Sequence, residues 1–183
     1  IVGGADATLF TLHATTGALT FNNAPDFEAP LDVGANNVYE VTVTVIDDGI
    51  PELSDTMELT VTVTDANDAP VITTDGGLAA ADVSMAENTT EVTIVEATDE
   101  DLPPQTVTFS ISGGEDAALF RIDGSLGVLT FDAAPNFEGP TDFDGDNIYE
   151  VIVTATDNGI GNQAASQAIS VTVADANDAP TAI

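Results

Sequence analysis

The sequence predicts an all-β protein made of two tandem Greek-key β-sandwiches, the first of them truncated. Two observations carry this prediction: an internal repeat spans most of the chain, and apolar and polar residues alternate in short segments bounded by Gly, Pro, Asn and Asp. The 183 residues can form one large domain or two small ones, and a hydrophobic content of 43% is sufficient for packed cores. A disordered acidic tail is therefore excluded.

The repeat divides the chain into two copies of one module. Residues 3–70 align without a gap onto residues 113–180, and both copies close with the sequence Asp-Ala-Asn-Asp-Ala-Pro. A counterpart of residues 71–110 is present in the second copy only. We therefore expect residues 1–70 to form a repeat that lacks its first two strands, and residues 71–183 to form a complete repeat.

Strand signals account for most of the complete copy. Residues 149–155 alternate apolar and polar side chains, as do their counterparts 39–45 in the first copy. In the complete copy, strands are predicted near residues 82–86, 92–98, 106–112, 118–122, 127–131, 148–156 and 165–174. Short strands at this density fit an immunoglobulin-like sandwich, in which one face of each strand is buried and the other is solvated.

Negative charge dominates the composition. Against 32 acidic residues stand one arginine and one histidine, so the formal net charge is −31. Such an excess argues against nucleic acid or anionic membranes as partners. Because the chain has no cysteine, disulfides cannot stabilise the domains, and metal cations are the expected substitute. No segment resembles a transmembrane helix or a signal peptide, and we expect the chain, which begins at Ile1, to be an excerpt from a longer protein.

The acidic residues collect in turns and at the ends of the predicted modules. In the complete copy they include Glu87, the run 99–101, Glu138 and Asp157, and further acids follow in the closing sequence. Oxygen ligands that converge at one end of a module suit Ca²⁺, which takes six to eight of them in flexible geometry. Glu91, Glu100 and Asp116, in contrast, are predicted to be ordinary solvated surface.

The motifs and their spacing resemble the cadherin repeat over essentially the whole chain, and in particular its prokaryotic members in large surface adhesins. In that family, three calcium ions lie at each junction between successive repeats. Their ligands come from an early Glu, a D-R-E motif, a D-x-N-D-N linker, and a D-x-D motif and a later Asp of the next repeat. For the junction between the two copies, the resemblance implies the ligands Asp26, Glu28, Asp65, Asn67, Asp68, Asp99, Asp101 and Asp157. For the next junction it implies Glu87, Glu138, Asp175, Asn177 and Asp178.

The chain departs from the family pattern at three points, which limits what the resemblance implies. Ala69 replaces the last Asn of the linker motif, which matters little if its backbone carbonyl is the ligand. Asn136 replaces the first acid of D-R-E in the second repeat, which should weaken one site of the downstream junction. The first repeat has no early Glu, so we expect two ions rather than three between the copies.

The second copy contains a further acidic loop. Residues 142–147 read Asp-Phe-Asp-Gly-Asp-Asn and alternate carboxylates around a glycine. The first copy has Asp-Val-Gly-Ala-Asn-Asn at residues 32–37. An ion common to both copies is therefore not expected there, whereas an extra site confined to the second copy stays open.

Together these features predict a non-catalytic, calcium-binding repeat pair that acts as a rigid spacer or adhesion module of an extracellular or cell-surface protein. Its expected partners are calcium ions and neighbouring repeats, with homophilic contacts and surface glycans left open. The alternative is a carbohydrate- or matrix-binding β-sandwich. Catalysis is not expected, because carboxylates beside calcium have lowered pKa values, whereas a glycosidase acid needs a raised pKa. The near absence of basic residues points to a prokaryotic source.

Overall fold

In the computed structural model, which describes residues 1–179, the chain forms two compact units, one of residues 1–66 and one that begins at Asn67. Within these residues the helical elements are three 3-10 helices, each of three or four residues. No helix in residues 1–179 is long and apolar enough to cross a bilayer. The predicted all-β fold is confirmed. The last residues of the predicted second repeat, 180–183, lie outside the described residues.

The first unit is built from two antiparallel strand pairs. Its strands are β1 Phe10–Leu12, β2 Leu19–Phe21, β3 Val38–Ile46 and β4 Ser54–Thr62. Strand β1 pairs with β2, and β3 pairs with β4. The buried residues of its core are Phe10, Tyr39 and Val41, and the ring of Phe21 packs 4.4 Å from that of Phe10. Along β3, alternate residues near its start are buried, as the sequence pattern predicts.

The second unit contains two sheets and a short strand pair. Its strands within the described residues are β5 Val71–Ile72, β6 Ala80–Ala86, β7 Glu91–Ile94, β8 Ala97–Thr98, β9 Thr108–Gly113, β10 Phe120–Ile122, β11 Val128–Phe131, β12 Ile148–Thr156 and β13 Ala164–Ala174. One sheet has the order β6-β13-β12-β9 and the other the order β10-β11-β7, while β5 pairs with β8. Strand β6 runs parallel to β13, and the other neighbours are antiparallel.

One hydrophobic cluster joins the two sheets of the second unit. Leu129 of β11, Tyr149 of β12 and Val171 of β13 are each 0% exposed and belong to this cluster. Every second residue of β12 from Tyr149 onward is buried, which confirms the predicted period of two. Burial of each large apolar side chain stabilises the fold by roughly 1.5–3 kcal/mol. The sandwich therefore provides a rigid support for the loops at its ends.

One predicted strand is divided in the structure. The segment 92–98 forms two strands, because β7 pairs with β11 whereas β8 pairs with β5. Val95 lies between them, is buried, and donates its N–H to the carbonyl of Gly127 at 2.8 Å. Both parts have a β-type sequence, so periodicity alone did not reveal the change of partner. The pairing strand β5 was not predicted.

A buried aspartate in each unit fastens a long loop to the sheet. Asp116 is 5% exposed, and its carboxylate accepts hydrogen bonds from the N–H groups of Phe143 at 2.7 Å and Glu150 at 2.8 Å. Asp6 makes the equivalent bonds in the first unit. The prediction that Asp116 is solvated surface is therefore wrong, because two backbone donors compensate for its burial. Glu91 and Glu100 are exposed, as predicted.

Candidate metal centre

Three aspartates of the second unit converge near its first residues. Asp99 and Asp101 follow β8, and Asp157 comes directly after β12. One carboxylate oxygen of each lies within 4.8 Å of those of the other two. Asp101 and Asp157 are only 2% and 4% exposed, and Asp99 is half-buried. The structure thus brings together the D-x-D residues and the later Asp, which are far apart in sequence.

The linker residues Asn67 and Asp68 contact this cluster. The side-chain amide of Asn67 donates to Asp157 Oδ2 at 2.9 Å. The backbone N–H of Asp68 donates to both carboxylate oxygens of Asp101 at 3.2 Å. Gln105 connects the two contacts, because its Nε2 donates to Asn67 Oδ1 at 2.6 Å and to Asp101 Oδ2 at 2.8 Å. Linker and sandwich therefore share one polar network.

Two glutamines and one glycine of this network were not predicted. Gln105 follows two prolines and Gln163 precedes β13, and neither lies in a recognisable motif. The side chain of Gln163 donates to the backbone carbonyl of Asn67. Gly159 packs so closely against Asn67 that a β-carbon there would overlap the Asn67 side chain. Such contacts depend on three-dimensional proximity, which residue spacing does not reveal.

Charge compensation is incomplete in the cluster. Oδ2 of Asp99 and Oε1 of Gln105 are buried and have no hydrogen-bond partner among the described residues. Burial, followed by the charges of Asp101 and Asp157, raises the pKa of Asp99. Three adjacent carboxylates with an unpartnered buried oxygen are a donor set that fits a hard divalent cation such as Ca²⁺.

Basic side chains do not supply the missing charge. The one ion pair in residues 1–179 joins Arg121, the chain's sole Lys or Arg, to Asp132. Asp132 belongs to none of the acidic clusters found in the described residues. Within residues 1–179, no basic side chain therefore forms an ion pair with these aspartates.

The predicted ligands of the first unit lie in two segments. Asp26 and Glu28 occupy the loop after β2, and Asp65 lies beyond β4. Oδ1 of Asp26 accepts a hydrogen bond from the N–H of Glu28 at 3.0 Å. A carboxylate oxygen of Glu28 lies within 4.8 Å of one of Asp65. Burial, together with the charges of Asp65 and Asp26, raises the pKa of Glu28.

A second acidic cluster of the second unit consists of Glu87, Glu138 and Asp175, whose carboxylate oxygens also lie within 4.8 Å of one another. Glu87 is 2% exposed, and its two oxygens accept the N–H groups of Phe137 and Ala176, each at 2.9 Å. These backbone donors hold the pKa of Glu87 below its usual value. The remaining predicted ligands of this set, Asn177 and Asp178, are exposed.

These two clusters lie at opposite ends of the sandwich of the second unit. Asp157 precedes β13 and Asp175 follows it, and this strand has 11 residues. A strand of that length extends over roughly 36 Å. The complete repeat therefore carries an acidic cluster at each end.

Comparison with known sequences supports one family. The Cadherin domain family matches residues 81–174. The chain is 30% identical over 172 residues to the Fat-like cadherin-related tumor suppressor homolog of Drosophila melanogaster, a match to 92% of this chain and 3% of that protein. It is 35% identical over 156 residues to human Protocadherin gamma-B4, a match to 82% of this chain and 16% of that protein. The chain spans about a sixth or less of the length of these curated relatives.

Solved structures show the same fold. Protocadherin Gamma B2 extracellular cadherin domains 3-6 align with a TM-score of 0.60 and 25% identity, over 97% of this chain and 40% of that chain. Drosophila N-cadherin EC1-4 aligns with a TM-score of 0.64 and 21% identity, over 92% of this chain and 40% of that chain. The curated relatives named above are animal proteins, so they support the family but not the predicted prokaryotic source. The chain belongs to the cadherin family of extracellular, cell-surface adhesion domains.

Proposed function

We propose that the chain is a calcium-binding cadherin repeat pair in which calcium fastens the linker to the second sandwich. The observation that most supports this proposal is the convergence of Asp99, Asp101 and Asp157 within 4.8 Å, with two of the three carboxylates almost fully buried. Buried like charges without a cation are costly, and a divalent ion converts their repulsion into attraction. Because Asn67 and Asp68 contact the same carboxylates, binding there orders the linker.

The residues of the cluster are oriented before an ion binds. Oδ1 of Asp157 accepts the N–H groups of Gly159 and Gln163, each at 3.0 Å. Oδ1 of Asp99 accepts the N–H of Asp101 at 3.1 Å, which leaves its buried Oδ2 for a ligand. Bound calcium supplies positive charge, and the protein supplies fixed oxygens. Such preorganisation increases affinity because less side-chain freedom is lost on binding.

Further ligands are proposed on the resemblance to the family motifs. From the first repeat we propose Asp26, Glu28 and Asp65. For a downstream junction we propose Glu87, Glu138, Asp175, Asn177 and Asp178. Glu87 is the best oriented of this second set, because two backbone donors hold its carboxylate. We also keep residues 70 and 71 as the proposed boundary between the truncated and the complete repeat.

The proposed role is mechanical rather than catalytic. Calcium that fixes linkers stiffens a series of repeats, so the pair serves as a spacer or adhesion module of a larger surface protein. Its partners are calcium and the neighbouring repeats. The prokaryotic adhesin remains our proposal for the parent protein, on the near absence of basic residues and on the Asn136-Phe137-Glu138 motif. Carbohydrate binding has less support, because Tyr39 and Tyr149 are 1% and 0% exposed and cannot stack on a sugar. Among the exposed large apolar side chains of the described residues, Phe143 is the one aromatic ring, which does not make a stacking surface.

Calorimetric titration with CaCl₂ tests the proposal. The wild-type chain should bind calcium saturably, and the variant Asp99→Asn/Asp101→Asn should lose at least one ion. Asp48→Asn/Asp82→Asn is the matched control, since it removes two exposed carboxylates outside every acidic cluster of the described residues. Scattering in calcium should give a narrower distribution of radii of gyration than scattering in chelator. Equal ion counts in the two variants would refute the proposed site.

A further inference from the structure

The long loop between β11 and β12 contains a third acidic cluster of the second unit. The carboxylate oxygens of Asp142, Asp144 and Asp146 lie within 4.8 Å of one another. This loop is separate in sequence from the residues assigned to the two ends of the sandwich. Asp144 and Asp146 are exposed, whereas Asp142 is only 8% exposed. A cluster of exposed acids is common on protein surfaces, so the buried member is the informative one.

The side chain of Asp142 lies in this cluster and has one unpartnered oxygen. Its Oδ2 accepts the N–H of Asp146 at 2.8 Å. Its Oδ1 is buried and has no hydrogen-bond donor among the described residues. A buried carboxylate oxygen without a donor costs free energy, because burial removes the water that solvated it. Such an oxygen beside two further carboxylates points to a cation as its missing partner.

The first unit provides an internal comparison. Asp32 occupies the position equivalent to Asp142 and is buried to a similar degree, with 5% exposure. Both of its oxygens are satisfied, since Oδ1 accepts the N–H groups of Asn36 and Asn37 at 3.2 and 2.9 Å and Oδ2 accepts that of Asn36 at 3.0 Å. Its loop has Gly34 and Asn36 where the second unit has acids. The loop with the unsatisfied oxygen is thus the one that has gained two carboxylates.

We propose that Asp142, Asp144 and Asp146 bind a calcium ion that closes the β11–β12 loop, in place of the backbone hydrogen bonds that close the equivalent loop of the first unit. Calcium suits this site better than magnesium, because its flexible coordination accepts carboxylates at positions one, three and five of a short loop. The ion belongs to a single repeat. It is distinct from the ions proposed at the ends of the sandwich.

Two measurements on the full chain test this site. Calorimetric titration with CaCl₂ should give one ion fewer for Asp144→Asn/Asp146→Asn than for wild type, while the control Asp48→Asn/Asp82→Asn keeps the wild-type count. Chymotrypsin cleavage after Phe143, which is 76% exposed in the loop, should be slowed at least tenfold by calcium in wild type. The same protection should be absent from the loop variant. Titration with MgCl₂ should protect Phe143 only weakly.

The variant Asp99→Asn/Asp101→Asn separates this proposal from the one above. It should bind fewer ions than wild type and still show calcium protection of Phe143. If calcium still protects Phe143 from cleavage in this variant, the result supports the loop site even if the linker cluster binds no calcium. The loop site is overturned if wild type and Asp144→Asn/Asp146→Asn bind equal numbers of ions, if protection rises linearly with calcium without saturation, or if protection is unchanged in the loop variant.

Discussion

The replacement Asp101→Asn should lower the stability of the protein in calcium but not in chelator. Asp101 is 2% exposed, belongs to the aspartate cluster, and accepts hydrogen bonds from the linker and from Gln105. Two unit charges 4.8 Å apart repel by roughly 3.5 kcal/mol at an effective dielectric constant of 20. Solvent reduces this value for the pair with half-buried Asp99. Loss of charged hydrogen bonds, worth roughly 1.5–3 kcal/mol each, offsets part of the relief.

In chelator, relief of repulsion should therefore leave Asp101→Asn at least as stable as wild type. In calcium the balance is reversed, because the variant lacks a carboxylate ligand. A calcium concentration of about 1,000 times Kd adds about 4 kcal/mol to stability for each ion. If the substitution raises the Kd for calcium about 100-fold, about 1.4 kcal/mol of this gain remains. The calcium-dependent gain should thus fall by about 2.7 kcal/mol.

Hydrogen exchange at the backbone amides of β12 and β13 measures the free energy of unfolding of the second unit alone. Each variant is compared in excess calcium and in excess chelator. Asp123→Asn is the control, because Asp123 accepts two backbone N–H groups in an exposed turn and lies outside every acidic cluster of residues 1–179. Its effect should be the same in both conditions. If Asp101→Asn also lowers stability equally in both, Asp101 is a structural hydrogen-bond acceptor and the reasoning is wrong.

Three further predictions concern the same unit. Burial and like charges raise the folded-state pKa of Asp99 above 3.8, so the folded protein holds that proton more tightly than the unfolded chain does. Without calcium, the contribution of Asp99 to the free energy of unfolding should therefore fall as the pH rises above about 4. Urea unfolding in chelator at a series of pH values should show that the free energy of unfolding decreases less steeply with pH in Asp99→Asn than in wild type. Gly159→Ala should displace Asn67 and weaken calcium binding roughly tenfold in calorimetry, about 1.4 kcal/mol, with an unchanged melting temperature in chelator. Leu129→Ala, at a fully buried position, should cost roughly 2–5 kcal/mol by urea unfolding in calcium and in chelator alike.

Much of the fold could be predicted because its strongest signals are local. The alternation along β12 and β13 identifies both strands and the face that each one buries. Strand partners are not encoded in this way. The segment 92–98 was predicted as one strand because its residues favour β structure throughout, yet the chain changes sheets at Val95. A two-residue strand such as β5 is too short for any periodicity to reveal.

The residues of the candidate site could be predicted where they belong to a recognisable motif. Asp99, Asp101 and Asp157 were grouped by resemblance, and the structure brings them within 4.8 Å. Neutral residues were not predictable, because a glutamine such as Gln105 has no charge or spacing that marks it. Burial of single acids was equally hidden. The sequence around Asp116 resembles an exposed turn, and only the backbone donors of a distant loop and of β12 explain why its carboxylate is buried.

Placement of the two end clusters keeps their negative charges apart within the second unit. The clusters at Asp157 and Asp175 are separated by the whole of β13, roughly 36 Å. The Debye length at physiological ionic strength is about 8 Å, so repulsion between the two ends is largely screened. Repulsion within each cluster is not screened, because its carboxylates are close together and partly buried. The electrostatic cost is therefore local to each cluster, and each proposed ion relieves it where it binds, independently of the ion at the other end.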